Sequence, residues 1–273
     1  MLNLMYITNN PAVARIAADS GVDRIFIDME VLGKAERQGG MDTVKSNHVP
    51  EDIVRVREAV GPDMEIMARV NPMNPNSQAE IDISIENGAD VVMLPMWRTV
   101  EELRLFIHMV GGRARTMPLL ETDTAVEHLE EALKVPGIDQ IHIGLNDLHI
   151  CYHEAFLFQP LADGTVDRLC AALKKAGIPY GFGGVGRPGH GTLPADYILG
   201  EHVRLGSQYV ILSRSFCNAD KITDLDTIRA LFGEGVANIR RLEEEYATWT
   251  PNQLMENHRT VASIVDKIVK GMR

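Results

Sequence analysis

The sequence has few of the features that mark secreted, membrane-spanning or nucleic-acid-binding proteins. Only three of its 273 residues are cysteine, and the absence of a Cys-x-x-Cys pair argues against a disulfide framework or a thiolate metal site. The net charge of -11 argues against binding to nucleic acid or an anionic membrane, because phosphate binding needs clustered Lys and Arg. No apolar run approaches the roughly 18 residues that cross a bilayer, so no membrane segment is expected.

Signals for targeting and for nucleotide binding are also missing. The N-terminus has neither the basic start nor the long apolar run of a signal peptide, so we expect a cytoplasmic protein. Cys151, Cys170 and Cys217 are accordingly predicted to be reduced, buried thiols. The sequence contains no Walker motif, no dinucleotide-binding glycine fingerprint and no Ser-His-Asp order in a strand-turn-helix context.

The sequence does have a regular alternation of short apolar runs and amphipathic helical segments, which is typical of βα units. Eight strands, each followed by a helix, are predicted at 2–7, 24–28, 65–70, 91–94, 116–120, 140–143, 180–182 and 209–212. This number favours a (β/α)8 TIM barrel over an open doubly wound sheet. We predict the barrel over residues 1–248 and an additional C-terminal helix over 249–273, which folds back or docks on a neighbouring subunit.

Two neighbouring predicted strands are followed by carboxylates, Glu121 after 116–120 and Asp147 after 140–143. The carboxyl ends of barrel strands meet at one mouth, where this pair could hold one hard divalent cation through oxygen ligands. The alternative is that both residues only cap the helices that follow, since acidic residues favour helix N-termini.

A few further charged residues are predicted at strand ends: Asp28 and Glu30 after the second strand and Arg69 after the third. The guanidinium of Arg69 presents a fixed fork of donors that suits a carboxylate or a developing enolate. The alternative is an ion pair of Arg69 with Asp28 or Glu30 that only closes the barrel mouth.

The segment 183–191 after the seventh predicted strand is rich in glycine. TIM barrels often bind phosphate in the loops after strands 7 and 8, because glycine lets backbone N–H groups approach an anion. We predict contacts to a phosphate or carboxylate arm of the substrate from Gly184, Gly186 and Arg187, with weaker ones from Ser213 and Arg214. Alternatively, the glycines only permit a tight turn.

Five segments in chain order resemble the motifs of the HpcH/HpaI aldolase and citrate lyase family: 21–30 (GVDRIFIDME), 69–72 (RVNP), 88–96 (GADVVMLPM), 119–122 (LLET) and 136–148 (PGIDQIHIGLNDL). The resemblance implies a TIM-barrel lyase that depends on Mg or Mn. Such an enzyme cleaves or forms a carbon–carbon bond of a 2-oxo acid such as pyruvate, with an aldehyde partner, through a metal-bound enolate. It also implies a homo-oligomer.

The same resemblance implies roles for single residues. Glu121 and Asp147 are the expected metal ligands, Arg69 the expected stabiliser of the enolate, and the backbone amides around Asn146 and Asp147 the expected site of the substrate carboxylate. Two more residues of the matching segments, Glu30 and Pro95, are predicted to contact the substrate.

The sequence departs from the aldolase branch of this family in two places. That branch has Asp-x-Glu-His after the second strand, with the His as general base, whereas this chain ends the motif with Val31, and valine cannot move a proton. The aldolase branch also carries an extended segment between the fourth and fifth strands, whereas residues 96–117 of this chain form one compact helical unit.

Three histidines are alternatives for the missing base: His48, His149 and His190. A base must come within hydrogen-bond reach of the proton it takes, and each of the three is otherwise a surface or loop histidine. Two further functions remain open, namely another enolate reaction, on an acyl-coenzyme A ester or phosphoenolpyruvate, and a non-catalytic barrel that binds a keto acid.

Overall fold

The computed structural model describes residues 1–33 and 46–272. Eight parallel strands close into a barrel in chain order. They are β1 (Asn3–Ile7), β2 (Arg24–Asp28), β3 (Glu65–Arg69), β4 (Val91–Leu94), β5 (Arg115–Leu120), β6 (Ile141–Ile143), β7 (Tyr180–Val185) and β8 (Tyr209–Leu212). β1 pairs with both β2 and β8, which confirms the predicted TIM barrel.

Helices surround the barrel on the outside. They are α1 (Pro11–Asp19), α2 (Pro50–Val60), α3 (Ser77–Glu86), α4 (Val100–Val110), α5 (Asp123–Glu127), α6 (Leu129–Ala132), α7 (Leu145–Cys151), α8 (Gln159–Ala162), α9 (Thr165–Ala176), α10 (Ala195–Leu205), α11 (Leu225–Ala247) and α12 (Pro251–Met272). Local signals explain their ends: the side chain of Asn10 caps α1, and α4 ends at Gly111, which adopts a left-handed φ of 60°.

The structure differs from the sequence prediction mainly around β6 and β7. β7 runs three residues beyond the predicted 180–182, because a register irregularity between Gly181 and Gly184 lets the strand continue past the bulge. The long loop that the sequence predicts over residues 149–164 instead contains the end of α7 and the whole of α8.

The barrel interior is largely apolar and its N-terminal end is closed by packing. Alternate strand residues form this interior cluster: Met5, Phe26, Met67, Val91, Met93, Met117 and Leu119. Below them, the fully buried Arg24 pairs with Glu65, and its Nη1 lies 3.5 to 3.7 Å from three methionine sulfurs. Polar groups available for chemistry therefore have to lie at the other end, the carboxyl-terminal mouth.

The C-terminal helix α12 packs on α10 and α8 of the same chain. Asn257 on α12 donates hydrogen bonds to the carbonyl of Tyr197 and to Oε1 of Glu201, both over 3.0 Å. Gly200 permits this contact, since a Cβ there would lie 2.6 Å from Nδ2 of Asn257. The division at residue 249 and contacts of α12 with a neighbouring subunit stay predictions.

The structure also bears on the expected membrane segments and on the state of the cysteines. None of the helices in residues 1–33 and 46–272 combines the length and apolarity needed to cross a membrane. The three cysteines are free thiols. Cys170 and Cys217 are buried as predicted, whereas Cys151, at the end of α7, is only half-buried.

Candidate active site

The carboxyl-terminal mouth brings the predicted charged residues together. β5 pairs with β6 in register, so Glu121 and Asp147 follow adjacent strands. Their side chains are largely withdrawn from solvent, with 2% and 8% of the residue surface exposed. Arg69 ends β3 directly beside Asp28 at the end of β2.

Glu121 is held in place by its surroundings rather than used as a helix cap. The cap of α5 is Thr122, whose hydroxyl accepts from the N–H of Ala125. Oε1 of Glu121 accepts from the backbone N–H of Met96 over 3.0 Å. On the other side, a Cβ at Gly144 would lie 2.6 Å from Oε2 of Glu121, so only glycine leaves room for the carboxylate.

The two carboxylates make an electrostatically unfavourable pair. Burial, and then the nearby charge of Asp147, raise the pKa of Glu121 well above its ordinary value. Asp147 lies in the first turn of α7, whose N-cap residue, Gly144, offers no side-chain cap, so the positive end of the helix faces the same region. A divalent cation between Glu121 and Asp147 would relieve their repulsion, and oxygen donors suit Mg or Mn.

These residues fit a metal that keeps much of its coordination open. Within residues 1–33 and 46–272, no group of three or more His, Cys, Asp and Glu side chains is arranged to hold a metal ion. The chain would therefore supply the two carboxylates, and water or substrate oxygens would complete the shell, as is common for Mg.

Arg69 forms ion pairs with two acidic neighbours. Its Nε and Nη2 donate to Oδ1 and Oδ2 of Asp28, both over 2.8 Å, and Nε lies 3.5 Å from Oε2 of Glu30. Burial lowers the pKa of Arg69, but the charge of Asp28 outweighs this effect and the net pKa lies above its ordinary value. The ion pair expected as an alternative is thus present, and it fixes the guanidinium plane at the mouth.

The segment around the missing base is also anchored. Oδ1 of Asn71 accepts from the N–H groups of Val31 and Leu32 over 2.9 and 3.0 Å, and the amide of Asn71 donates to Glu80 on α3. Val31 is 55% exposed. An aliphatic side chain therefore stands at the rim where the family motif places its histidine.

The three candidate histidines lie in different surroundings. His48 packs at the end of β2, where its Nδ1 accepts from the N–H of Asp28 over 3.0 Å. His149 is buried on α7, two residues beyond Asp147, and within the described residues its Nδ1 has no hydrogen-bond partner. His190 is exposed in the loop after β7.

The predicted substrate contacts divide between the ends of β2, β4 and β6 and a separate cavity beside α11. Glu30 and Pro95 are buried at the ends of β2 and β4, and Asn146 is half-buried at the start of α7. In contrast, Arg187 and His190 line a small cavity of about 40 Å³ against α11.

The glycine-rich loop faces the turn after β8. A Cβ at Gly184 would lie 3.6 Å from the Cβ of Ser213, and one at Gly186 would lie 2.7 Å from the hydroxyl of Ser215. The hydroxyls of Ser213 and Ser215 are 2.7 Å apart. These glycines therefore serve close packing of the two loops, and their contact with an anion stays a prediction.

Several residues that shape the site were not found from the sequence. Met96 adopts a φ of 54°, and no sequence signal announces a left-handed methionine. Gly144 had a weak signal, since glycine directly after a strand often marks a close approach. His142 lies inside the barrel, and its Nε2 is 3.0 Å from the carbonyl oxygen of Gly183 in the β7 bulge.

Comparison with known proteins agrees with this architecture. The family model of HpcH/HpaI aldolase/citrate lyase matches residues 3–178, and no curated protein sequence matches the chain. Among solved structures, an HpcH/HpaI aldolase/citrate lyase family protein from Burkholderia cenocepacia J2315 is 16% identical, with a TM-score of 0.63 over 84% of this chain and 94% of its own.

Two further solved structures have the same fold. An HpcH/HpaI aldolase from Desulfitobacterium hafniense DCB-2 is 15% identical, with a TM-score of 0.59 over 88% of this chain and 93% of its own. The citrate synthase SbnG is 14% identical, with a TM-score of 0.60 over 83% of this chain and 92% of its own. Because the family model matches more than half of the chain, this protein belongs to the HpcH/HpaI aldolase/citrate lyase family, a family of lyases.

Proposed function

We propose that the chain is a divalent-metal-dependent carbon–carbon lyase that acts on a 2-oxo acid through an enolate. The observation that carries the proposal is the buried pair Glu121 and Asp147 at the same mouth as Arg69. The 2-oxo acid and aldehyde partners and a homo-oligomeric state belong to this proposal, and family membership supports them.

Glu121 and Asp147 would hold the metal, with Mg or Mn the best match to two carboxylates. When bound, the ion supplies Lewis-acid polarisation of the keto oxygen. The position of Glu121 supports this assignment, because the N–H of Met96 fixes one of its carboxylate oxygens and Gly144 leaves space for the other.

Arg69 would stabilise the negative charge that develops on the keto oxygen. Asp28 engages one edge of its guanidinium, and the planar group carries further N–H donors. Because Arg69 is largely buried, its charge acts in a medium of low dielectric constant, where a preorganised donor stabilises an oxyanion more strongly than in water.

Cleavage of a 4-hydroxy-2-oxo acid would proceed in two proton-coupled steps. A base takes the proton of the 4-hydroxyl group, the C3–C4 bond breaks, and its electron pair forms the enolate while the aldehyde leaves. C3 of the enolate then takes up a proton and yields the shorter 2-oxo acid. Val31 cannot serve as this base, and we assign the role to His149, which is buried on α7 two residues beyond Asp147.

Exchange of the C3 protons of pyruvate in D2O tests enolate formation without knowledge of the aldehyde. We expect exchange, followed by NMR, only with Mg or Mn present, and Glu121→Gln and Asp147→Asn should abolish both exchange and Mn binding measured by titration calorimetry. The exposed Glu130→Gln is the matched control and should change neither. Retained Mn binding in Glu121→Gln would contradict the ligand assignment.

A second function on the same residues is condensation of an enolate with a carbonyl acceptor, the reverse direction of the lyase step. It is favoured by the structural similarity to a protein described as a citrate synthase, and acyl-coenzyme A or phosphoenolpyruvate could supply its enolate. Product analysis in both directions separates the two. A protein that binds Mn and pyruvate but never exchanges C3 protons would instead be a non-catalytic keto-acid binder.

A further inference from the structure

The chain returns to the end of β2 at residues 46–48, and specific hydrogen bonds hold it there. The backbone N–H of Asp28 donates to Nδ1 of His48 over 3.0 Å. The hydroxyl of the buried Ser46 donates to Oδ2 of Asp28 over 2.9 Å. Both hydrogen bonds involve Asp28, the residue that pairs with the guanidinium of Arg69.

The first of these bonds fixes the tautomer of the neutral His48 ring. A backbone N–H can only donate, so Nδ1 must offer its lone pair and cannot carry a proton. In the neutral ring the proton then sits on Nε2. With one nitrogen engaged as acceptor and the other already protonated, His48 has no lone pair left for a substrate proton.

The second bond adds a donor to the carboxylate of Asp28, which is 2% exposed. Oδ1 accepts from Nε of Arg69 and from the N–H of Glu30, over 2.8 and 3.3 Å. Oδ2 accepts from Nη2 of Arg69 and from Ser46, over 2.8 and 2.9 Å. The position and plane of this carboxylate therefore set the plane of the guanidinium.

We propose that Ser46 and His48 are positioning residues that orient Arg69 through Asp28, and that His48 is not the general base. Ser46 fixes the carboxylate of Asp28 and His48 fixes its backbone. The inference rests on the proposed function for its kinetic consequence, while the tautomer of His48 and the placement of Arg69 can be tested without any activity.

The kinetic test compares substitutions at position 48 that keep or lose an acceptor at the place of Nδ1. Asparagine can put its amide oxygen there, whereas alanine removes the acceptor and glutamine moves it outward. For pyruvate C3 exchange with Mn, we expect His48→Ala, His48→Gln and Ser46→Ala to lower kcat about five- to tenfold, the contribution of one ordinary hydrogen bond. His48→Asn should recover kcat to within about threefold of the wild type and keep its pH profile.

A general base would give a different result. Its loss costs about a hundredfold or more in rate, and His48→Asn and His48→Ala would then be equally impaired and would both lose the acidic limb of the pH profile. That outcome overturns the proposal. Thermal unfolding of each variant shows whether it is folded.

NMR gives the readout that does not depend on catalysis. The 15N shifts of the His48 ring should report a protonated Nε2 and an unprotonated Nδ1. The Nε–H resonance of Arg69 should move in Ser46→Ala and His48→Ala and return towards its wild-type position in His48→Asn. An Nδ1-protonated ring, or an Arg69 resonance that does not respond to either alanine, refutes the positioning role even if the protein proves to have no lyase activity.

Discussion

The backbone N–H of Met96 donates to Oε1 of Glu121 over 3.0 Å, and Met96 adopts a left-handed φ of 54° where it does so. Such a conformation costs a residue with a Cβ about 1 kcal/mol or more relative to glycine. The strained residue is the one whose N–H orients the carboxylate of Glu121, a predicted metal ligand. Local strain and site geometry are therefore linked at this position.

This link predicts an inverted order of stability for two substitutions at position 96. Met96→Ala and Met96→Gly lose the same side-chain packing apart from one methyl group, but only glycine relieves the strained φ. We expect Met96→Gly to be more stable than Met96→Ala by about 1 kcal/mol in urea unfolding, the opposite of their order at ordinary positions. If alanine is equal or better, Met96 is not strained.

Substitution of Gly144 should weaken metal binding even though both predicted ligands, Glu121 and Asp147, are kept. A Cβ at this position would lie 2.6 Å from Oε2 and 2.8 Å from Cβ of Glu121, so Gly144→Ala must displace the carboxylate. We expect Mn affinity to fall at least tenfold in titration calorimetry. The control is Gly233→Ala on α11, where nothing lies within 4 Å of the added Cβ.

The two glycine substitutions should differ in stability as well as in binding. Gly233→Ala should keep wild-type Mn affinity and stabilise the helix by about 0.5–1 kcal/mol. Unchanged Mn affinity in Gly144→Ala would mean that Glu121 does not need its present position to bind the metal.

The buried histidines predict a loss of stability in mild acid. Burial lowers the pKa of His142 to about 4, and burial followed by the charge of His142 lowers that of His202 to about 3. The unfolded chain takes up protons near pH 6.5 while the folded protein does not, so unfolding becomes easier as the pH falls below 6.5. For His142 alone the loss by pH 4 is about 3 kcal/mol.

His202→Phe separates this effect from other acidic transitions. His202 stacks on Phe182 with ring centroids 3.9 Å apart, and a phenylalanine can keep this contact without titrating. We expect the variant to lose less free energy of unfolding between pH 7.5 and 5 than the wild type does. Substitution of the exposed His108 by Gln should leave the pH dependence as it is, and equal slopes in all three proteins would refute the assignment.

The sequence predicted the strands and the metal-ligand pair for the same physical reason. Parallel strands buried on both faces appear as short apolar runs, and a barrel places every strand end at one mouth, so Glu121 and Asp147 could be assigned to one place. Family membership, confirmed by the family model, supports the fold on which this assignment depends. Their role as ligands remains a prediction for the experiments above.

The sequence could not predict the backbone conformation and side-chain orientation of residues outside helices and strands. The φ of Met96 and the hydrogen bond of His48 are set by contacts 25 and 20 residues away along the chain. Periodicity and propensity describe neighbours within a few residues. They therefore placed His48 in a loop near the mouth but gave no indication of which ring nitrogen would be engaged.

The raised pKa of Glu154 predicts a pH dependence of stability opposite in sign to that of the buried His142 and His202. Burial, with the neighbouring charge and hydrogen bond of Asp163, raises the pKa of Glu154 to about 7. Between pH 4.5 and about 7 the folded protein holds a proton that the unfolded chain has released, so this group makes the protein less stable as the pH rises through that range.

Replacing Glu154 with Gln should remove this component of the pH dependence. We expect equal melting temperatures for variant and wild type at pH 4.5 and a higher one for the variant at pH 8, whereas the exposed Glu127→Gln should match the wild type at both. A melting temperature of Glu154→Gln below that of the wild type at pH 8 would show that the carboxylate is favourable where it stands.

The contact of α12 with α10 gives the last prediction. Asn257 supplies one of the donors to Glu201, which is fully buried and also accepts from Arg204 and from His258. Asn257→Ala should destabilise the docking of α12 by about 1–3 kcal/mol, seen as faster amide hydrogen exchange along α12 while the barrel strands keep their protection. Asn252→Ala, on the exposed face of the same helix, should leave exchange unchanged.

Dilution distinguishes docking within one chain from docking between subunits. Because α12 packs on α10 of the same chain, the faster exchange of Asn257→Ala should be independent of protein concentration, since no association step is involved. A protection of α12 that falls on dilution of the wild-type protein would place this helix on a neighbouring subunit. In that case the barrel would end near residue 248, and α12 would be part of an oligomer interface.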